Sequence, residues 1–173
     1  MSLIVRRHVA DGRESEAVYS LCERYRYSLT RVWEPGKRRL LYIMLNPSKA
    51  TELVNDPTIE RCERRARQLE FGSFRVCNLF ALRETDPARL RRARRPVGPD
   101  NASQIGEALD WADVILCAWG VHGAHKNQNA VLKAQLAACG KPLLVLGVTK
   151  DGHPRHPLYM PYSAEPQVWN FAG

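Results

Sequence analysis

No apolar run in this 173-residue chain approaches the length of a membrane span, Leu40–Leu45 being typical of those present. Residues 1–14 also lack the apolar core of a secretory signal, because Arg6, Arg7 and Asp11 interrupt them, so a cytoplasmic protein is expected. Cysteine is sparse and scattered. Cys22, Cys62, Cys77, Cys117 and Cys139 are odd in number and contain no C-x-x-C pair, which argues against a disulfide framework and against zinc or iron–sulfur spacing. Cys77 and Cys117 sit inside apolar runs, where a thiol behaves as a small hydrophobe. Neither a Walker loop nor G-x-G-x-x-G is present, and no repeat or low-complexity linker divides the chain. A single α/β domain over residues 1–173 is therefore expected, with no cofactor and no metal.

Positive charge is what the chain has in excess. Lys and Arg number 26 against 18 Asp and Glu, a formal charge of +8, which favours phosphate-bearing partners. The densest part is Arg89, Arg91, Arg92, Arg94 and Arg95, without an interleaved Tyr or Trp of the kind a single-strand stacking platform uses.

The chain is organised around Leu40-Leu41-Tyr42-Ile43-Met44-Leu45-Asn46-Pro47-Ser48. The apolar run has no alternation, which suits a parallel strand covered on both faces, and Pro47 forces the chain out of the sheet just after Asn46. Three further strands are expected at Phe74–Cys77, Asp113–Ala118 and Leu143–Leu146. Asp56-Pro57 announces a helix with Ile59, Cys62, Ala66 and Leu69 inward and Arg61, Arg64, Arg65 and Gln68 outward. Asp86-Pro87 opens a short arginine-rich helix, Asp100 caps another, and a fourth is expected over 124–138. Before these, a helix is expected near 15–24, and Tyr25–Trp33 reads as an antiparallel edge strand joined to the organising strand by the Glu34–Lys37 turn. The alternation of strands and helices implies a three-layer α/β/α sandwich with a mainly parallel four-stranded sheet plus that N-terminal edge strand.

In such a sheet Asn46, Asn78, Trp119-Gly120 and the segment after Leu146 emerge at one edge, where ligands of open α/β sheets bind. The amides of Asn46 and Asn78 carry donor and acceptor together, which suits the edge of a planar base, although asparagine past a strand is more often a turn residue. His153 and His156 flank Pro154 in a turn-rich stretch, a poor zinc arrangement. His156 is better suited to donate a hydrogen bond, or to be a solvated loop histidine. Residues 119–126 bring two glycines and Lys126 to an expected helix start, a place for an anion.

The set Leu45-Asn46-Pro47-Ser48-Lys49-Ala50, Asn55-Asp56-Pro57-Thr58, Asn78-Leu79-Phe80 with Arg83, Ala118-Trp119-Gly120, and residues 147–150 through 155–159 resembles the bacterial family termed domain of unknown function 1643. More distantly, Asn46-Pro47, Asn78, Trp119-Gly120 with Lys126, and His156-Pro157 resemble, in the same chain order, four short motifs of the uracil-DNA glycosylase superfamily. That likeness implies that Asn46 positions a water, Asn78 reads a base and His156 donates to the base oxygen. Leu158 and Tyr159 lie where that superfamily inserts a side chain into a duplex. Two features depart from it: the 49–56 loop has no stacking aromatic, and Asn46 stands where a carboxylate is usual, leaving Asp56 as the candidate base. The resemblance thus implies catalytic Asn46, His156 and Asp56, and substrate-binding Pro47, Ser48, Asn78, Phe80, Trp119, Lys126, Lys150 and Tyr159. Arg91, Arg92, Arg94 and Arg95 are expected on a nucleic-acid backbone. The expected function is binding of a nucleobase or nucleic acid with hydrolysis of an N-glycosidic bond; the alternative is a non-catalytic nucleic-acid or nucleotide-binding module.

Overall fold

A run of large apolar residues that ends at a proline needs partners on both edges and cover on both faces, and the fold supplies all four. In a computed structural model describing residues 2–171, the strands are β1 (Ile4–Ala10), β2 (Arg13–Tyr19), β3 (Arg26–Val32), β4 (Arg39–Met44), β5 (Ser73–Asn78), β6 (Val114–Cys117), β7 (Leu143–Val145) and β8 (Gln167–Val168). The helices are α1 (Pro57–Gln68), α2 (Pro87–Arg92), α3 (Asn101–Trp111) and α4 (Gln128–Cys139), with 3-10 segments at Val121–Asn127, which is kinked at His125 and Lys126, and at Pro157–Tyr159. One mixed sheet joins the strands in the order β1-β2-β3-β5-β4-β6-β7-β8.

β4 is the organising strand. It runs parallel to β5, with Met44 opposite Asn78, and parallel to β6, with Ile43 opposite Cys117. β7 adds in parallel to β6. Successive residues of β4 then feed two cores. Leu40, Tyr42 and Met44 pack with Ile59, Cys62 and Ala66 of α1 on one face, while Leu41 and Ile43 pack with Ile105, Ala108 and Leu109 of α3 and Leu132 and Leu136 of α4 on the other. The Tyr42 hydroxyl, buried with its ring, donates to the Cys62 carbonyl at 2.8 Å, so this core carries no orphaned phenol. Asp56 caps α1 as its sequence implies, Oδ1 accepting from the Ile59 N–H at 2.9 Å, an interaction of about 1 kcal/mol.

Three expectations are corrected. Among the described residues the sheet has eight strands rather than four plus an edge, and antiparallel neighbours outnumber parallel ones four to three. The segment near 15–24 is β2 and a turn rather than a helix; its Ala17-Val18-Tyr19 run is buried because the strand lies inside the sheet. The Glu34–Lys37 turn forms, the Lys37 N–H reaching the Glu34 carbonyl at 3.1 Å, but it does not make a hairpin. Both edges of β4 are occupied, so β3 lies beyond β5 and pairs antiparallel with it, interior to the sheet.

The connection from β3 to β4 must therefore cross the start of β5, and Gly72 permits it. The Trp33 and Glu34 N–H groups both donate to the Gly72 carbonyl at 3.0 and 2.9 Å, and a Cβ on Gly72 would lie 1.9 Å from the Glu34 oxygen. Gly72→Ala should therefore lose about 1–3 kcal/mol in urea denaturation through overpacking. Gly106→Ala, on α3 with nothing within 4 Å, should instead gain about 0.5–1 kcal/mol from helix propensity. Equal effects at the two positions would contradict the crossing.

Candidate functional site

Parallel pairing brings the ends of β4, β5 and β6 to one edge of the sheet. The register continues past the strands: the Leu79 and Phe80 N–H groups donate to the Met44 and Leu45 carbonyls at 3.0 Å, and the Ala118 N–H donates to Ile43 at 2.8 Å. The returning chain closes the edge, with the Gly120 N–H donating to the Pro154 carbonyl at 2.8 Å. Gly120 holds φ at 74°, and a Cβ there would meet His156 Cβ at 3.9 Å. Asn46, Asn78, Trp119-Gly120 and His156 are thus gathered at the carboxyl ends of the parallel strands.

His156 has the most defined geometry. It caps the turn Pro157–Tyr159, with Nδ1 accepting the Leu158 N–H at 3.2 Å. A neutral ring that accepts at Nδ1 carries its proton at Nε2, which has no hydrogen-bond partner among the described residues. Burial lowers its pKa from 6.5 to about 4, opposed by the negative field of Asp56. The ring borders an open cleft of about 420 Å³ whose wall includes Leu45, Pro87, His122, Thr149, Arg155 and Tyr159. Tyr159 is 80% exposed, its ring centroid 5.9 Å from that of His156.

The turn bearing His156 is tied down from α1. Arg61 donates to the Pro157 and Met160 carbonyls, and Arg65 donates to those of Met160, Pro161 and Ala164. The Tyr162 ring lies 4.4 Å from the Arg61 guanidinium carbon. The arginine face of α1, expected to meet solvent, is covered in part by chain carbonyls, and Arg65 is only 1% exposed. Periodicity identified the polar face correctly, but a polar face also suits a strap of backbone carbonyls.

The amides differ from each other. Asn46 Nδ2 donates to the carbonyls of Glu84 at 2.6 Å, Pro47 at 3.1 Å and Leu82 at 3.5 Å, so it clamps the loop after β5. Asn78 is 1% exposed, and neither its amide nitrogen nor its amide oxygen has a partner among the described residues. A donor and an acceptor left unmade at a strand end are expensive, and they mark this amide as the one with bonding capacity in reserve. Asp56, the candidate base, has both oxygens engaged, Oδ1 by Ile59 and Oδ2 by the Ala50 N–H at 3.2 Å. Arg26, which the sequence reading did not single out, is buried beneath the same loop. Its Nη1 donates to the Ala50 carbonyl at 2.9 Å, its Nε is unpaired among the described residues, and desolvation lowers its pKa to about 10.

Other expected site residues are placed differently. Phe80 is fully buried against the His125 ring, 5.7 Å between centroids, and Trp119 is buried against Trp169, 5.5 Å away. The indole is also held under Gly123, where a Cβ would come within 2.3 Å of it. Both rings are core residues, although Trp119 also contributes to the cleft lining. Pro47 is buried and its carbonyl accepts the Glu84 N–H, whereas Ser48 is half-buried. Lys126 and Lys150 are exposed. The expected helix start near Ala124 falls in the 3-10 segment, because Lys126 and Asn127 adopt left-handed φ of 53° and 56° and α4 begins only at Gln128. The glycines of this stretch are thus not at the N-terminus of α4; Gly120 instead precedes the 3-10 segment that starts at Val121. Arg91, Arg92, Arg94 and Arg95 are exposed, and the fold sets Arg24 and Tyr25 beside the last two. That juxtaposition had no local signal, since it depends on a bridge between Tyr25 and Leu82.

These features define an α/β protein with a polar site at the carboxyl edge of its parallel strands and an arginine-rich surface nearby. The family model described as protein of unknown function (DUF1643) matches residues 26–158, and the chain belongs to that family. Neither the curated proteins nor the solved structures contain a match to the chain.

The pKa of His156 has a definite consequence for stability. Between about 4 and 6.5 the unfolded chain binds a proton that the folded ring does not, so this contribution is present above 6.5 and is lost as pH falls through 4. An NMR titration should place the His156 midpoint near 4, and His156→Gln should flatten the acid limb of the stability curve. A midpoint at the ordinary 6.5 would remove this description of the ring.

Proposed function

We propose that the protein recognises a nucleobase, carried by a nucleotide or a nucleic acid, at the carboxyl edge of its parallel strands. The scaffold is read as a three-layer sandwich of the uracil-DNA glycosylase kind. The carrying observation is His156: a ring kept neutral by burial, its Nδ1 fixed by Leu158, its Nε2–H unused, at the border of an open cleft. Such a group donates to a base oxygen without a competing proton equilibrium near neutrality. The Asn78 amide, unpartnered among the described residues, offers the complementary donor and acceptor pair. Tyr159 offers an exposed ring beside the cleft in place of the aromatic missing from the 49–56 loop.

A second reading, hydrolysis of an N-glycosidic bond, is favoured by the same neutral donor. As the bond to the base breaks, negative charge gathers on the base, and a donor at its oxygen stabilises the transition state more than the ground state. Against fast chemistry stands Asp56, whose two oxygens already accept backbone N–H groups, leaving Asn46 to orient water without a strong base. Recognition is therefore the primary reading and slow hydrolysis the secondary one.

Calorimetric titration with a panel of nucleosides and nucleotides tests recognition. At least one should bind the parent, and His156→Ala should weaken it about tenfold, the effect of a hydrogen bond worth roughly 1.4 kcal/mol. Absence of binding across the panel, or binding indifferent to His156, would retire the proposal. If abasic sites form in damaged-base substrates, single-turnover rates should fall about a hundred- to a thousandfold in His156→Ala.

A further inference from the structure

Beside the strand-end cleft lies a second concavity that the function above does not use. A hollow of about 410 Å³ is lined by Arg24, Tyr25, Leu82, Ala93, Arg94 and Arg95, with no acidic residue in its wall. An adjoining hollow of about 400 Å³ shares Arg24, Leu82 and Ala93 and adds Arg83 and Arg89. Its two acids are partly occupied, Glu23 by Arg6 and Glu84 by Arg89 at 3.9 Å. Arg24, Arg94 and Arg95 are exposed and take part in no ion pair among the described residues. The aromatic in this wall is rigid. Tyr25 stacks on Tyr27 with centroids 6.2 Å apart and planes 8° from parallel, and its hydroxyl donates to the Arg95 carbonyl at 2.8 Å.

The two sites lie at opposite ends of α2. Pro87, its first residue, borders the His156 cleft, and Ala93, just past its last, borders the basic hollow. Six residues at 1.5 Å each separate them by about 9 Å. The ground between is held to the strand ends by Asn46, which donates to the Leu82 and Glu84 carbonyls. Arg91 and Arg92 are exposed on the intervening helix.

From this geometry we infer that the protein binds a single-stranded nucleic acid in one path, its phosphates on Arg24, Arg94 and Arg95, one base against Tyr25, and a neighbouring nucleotide directed to the His156 cleft. Charge complementarity selects a polyanion, and Tyr25 selects its form. A base reaches an aromatic wall only when it is unstacked, as in single strands, whereas a duplex presents phosphates to the arginines and leaves the ring without a partner. The direction of the path rests on the strand-end reading above; the groove itself does not.

Fluorescence anisotropy with a short labelled oligonucleotide, as a single strand and as the matching duplex, tests this. The single strand should bind about tenfold more tightly, the contribution of one stacked base. The combined Arg24→Gln, Arg94→Gln, Arg95→Gln variant should lower the logarithmic salt slope by about two, at roughly 0.7 per phosphate contact. Tyr25→Leu should cost about tenfold on the single strand and nothing on the duplex, while Tyr25→Phe, which keeps the ring, should bind like the parent. Equal affinity for the two forms, or an unchanged slope in the triple variant, would overturn the groove. His156→Ala separates the readings. If it leaves base preference intact while the triple variant loses binding, the groove stands and the strand-end reading falls. If it abolishes nucleoside binding while the triple variant keeps its slope, the reverse holds.

Discussion

The structure depends on the double parallel pairing of β4. A strand with both edges bonded and both faces covered leaves no backbone group in need of water, so its position in the sheet is set before that of any neighbour. β3 is displaced beyond β5 because no edge of β4 is free, and the chain crosses at Gly72 because that is where the displaced connection meets the sheet. The ends of β4, β5 and β6 then lie together because their registers are parallel. The candidate site is a by-product of the sheet's order rather than a separate construction.

Several groups at that edge hold unfavourable states that the two cores must offset. His156 is kept neutral by burial, Arg26 is a desolvated cation without a carboxylate bonded to it, and the Asn78 amide makes no bond among the described residues. An unmade buried hydrogen bond costs about 1–3 kcal/mol, so the unpaired groups of Arg26 and Asn78 lower stability at this edge. Departures of this kind gather at functional sites more than elsewhere. They give the proposed recognition its physical basis.

What the sequence disclosed followed the reach of local rules. Asp56-Pro57 announced α1 because a cap and a proline act within one turn, and Pro47 announced the end of β4 because a missing N–H is a local fact. The strand ends were legible for the same reason, and so was the cluster of Asn46, Asn78 and His156 there. The 15–24 segment was misread because Ala17-Val18-Tyr19, buried in the sheet interior, has neither the alternation of a half-exposed strand nor a helical stripe. The roles of Phe80 and Trp119 were hidden because an aromatic past a strand can face a site or a core, and only packing on His125 and Trp169 decides. The Tyr25 hollow was the least accessible of all, since it joins residues 24–25, just before β3, to residues 93–95, just past α2.

The arginine strap on α1 has a consequence for the order of assembly. Arg61 holds Met160 across 99 residues of sequence, and Arg65 holds Ala164 across the same separation. Contacts between such distant residues form only after the intervening chain has condensed, because closing that loop earlier carries the full entropy of its freedom. On a ribosome, β4, β5 and α1 are available to condense while residues 160–164 are still being made. The pairing of β4 with β5 and the packing of α1 thus need nothing from the His156 turn, whereas that turn and β8, which follows it in the chain, can dock only onto a framework already present.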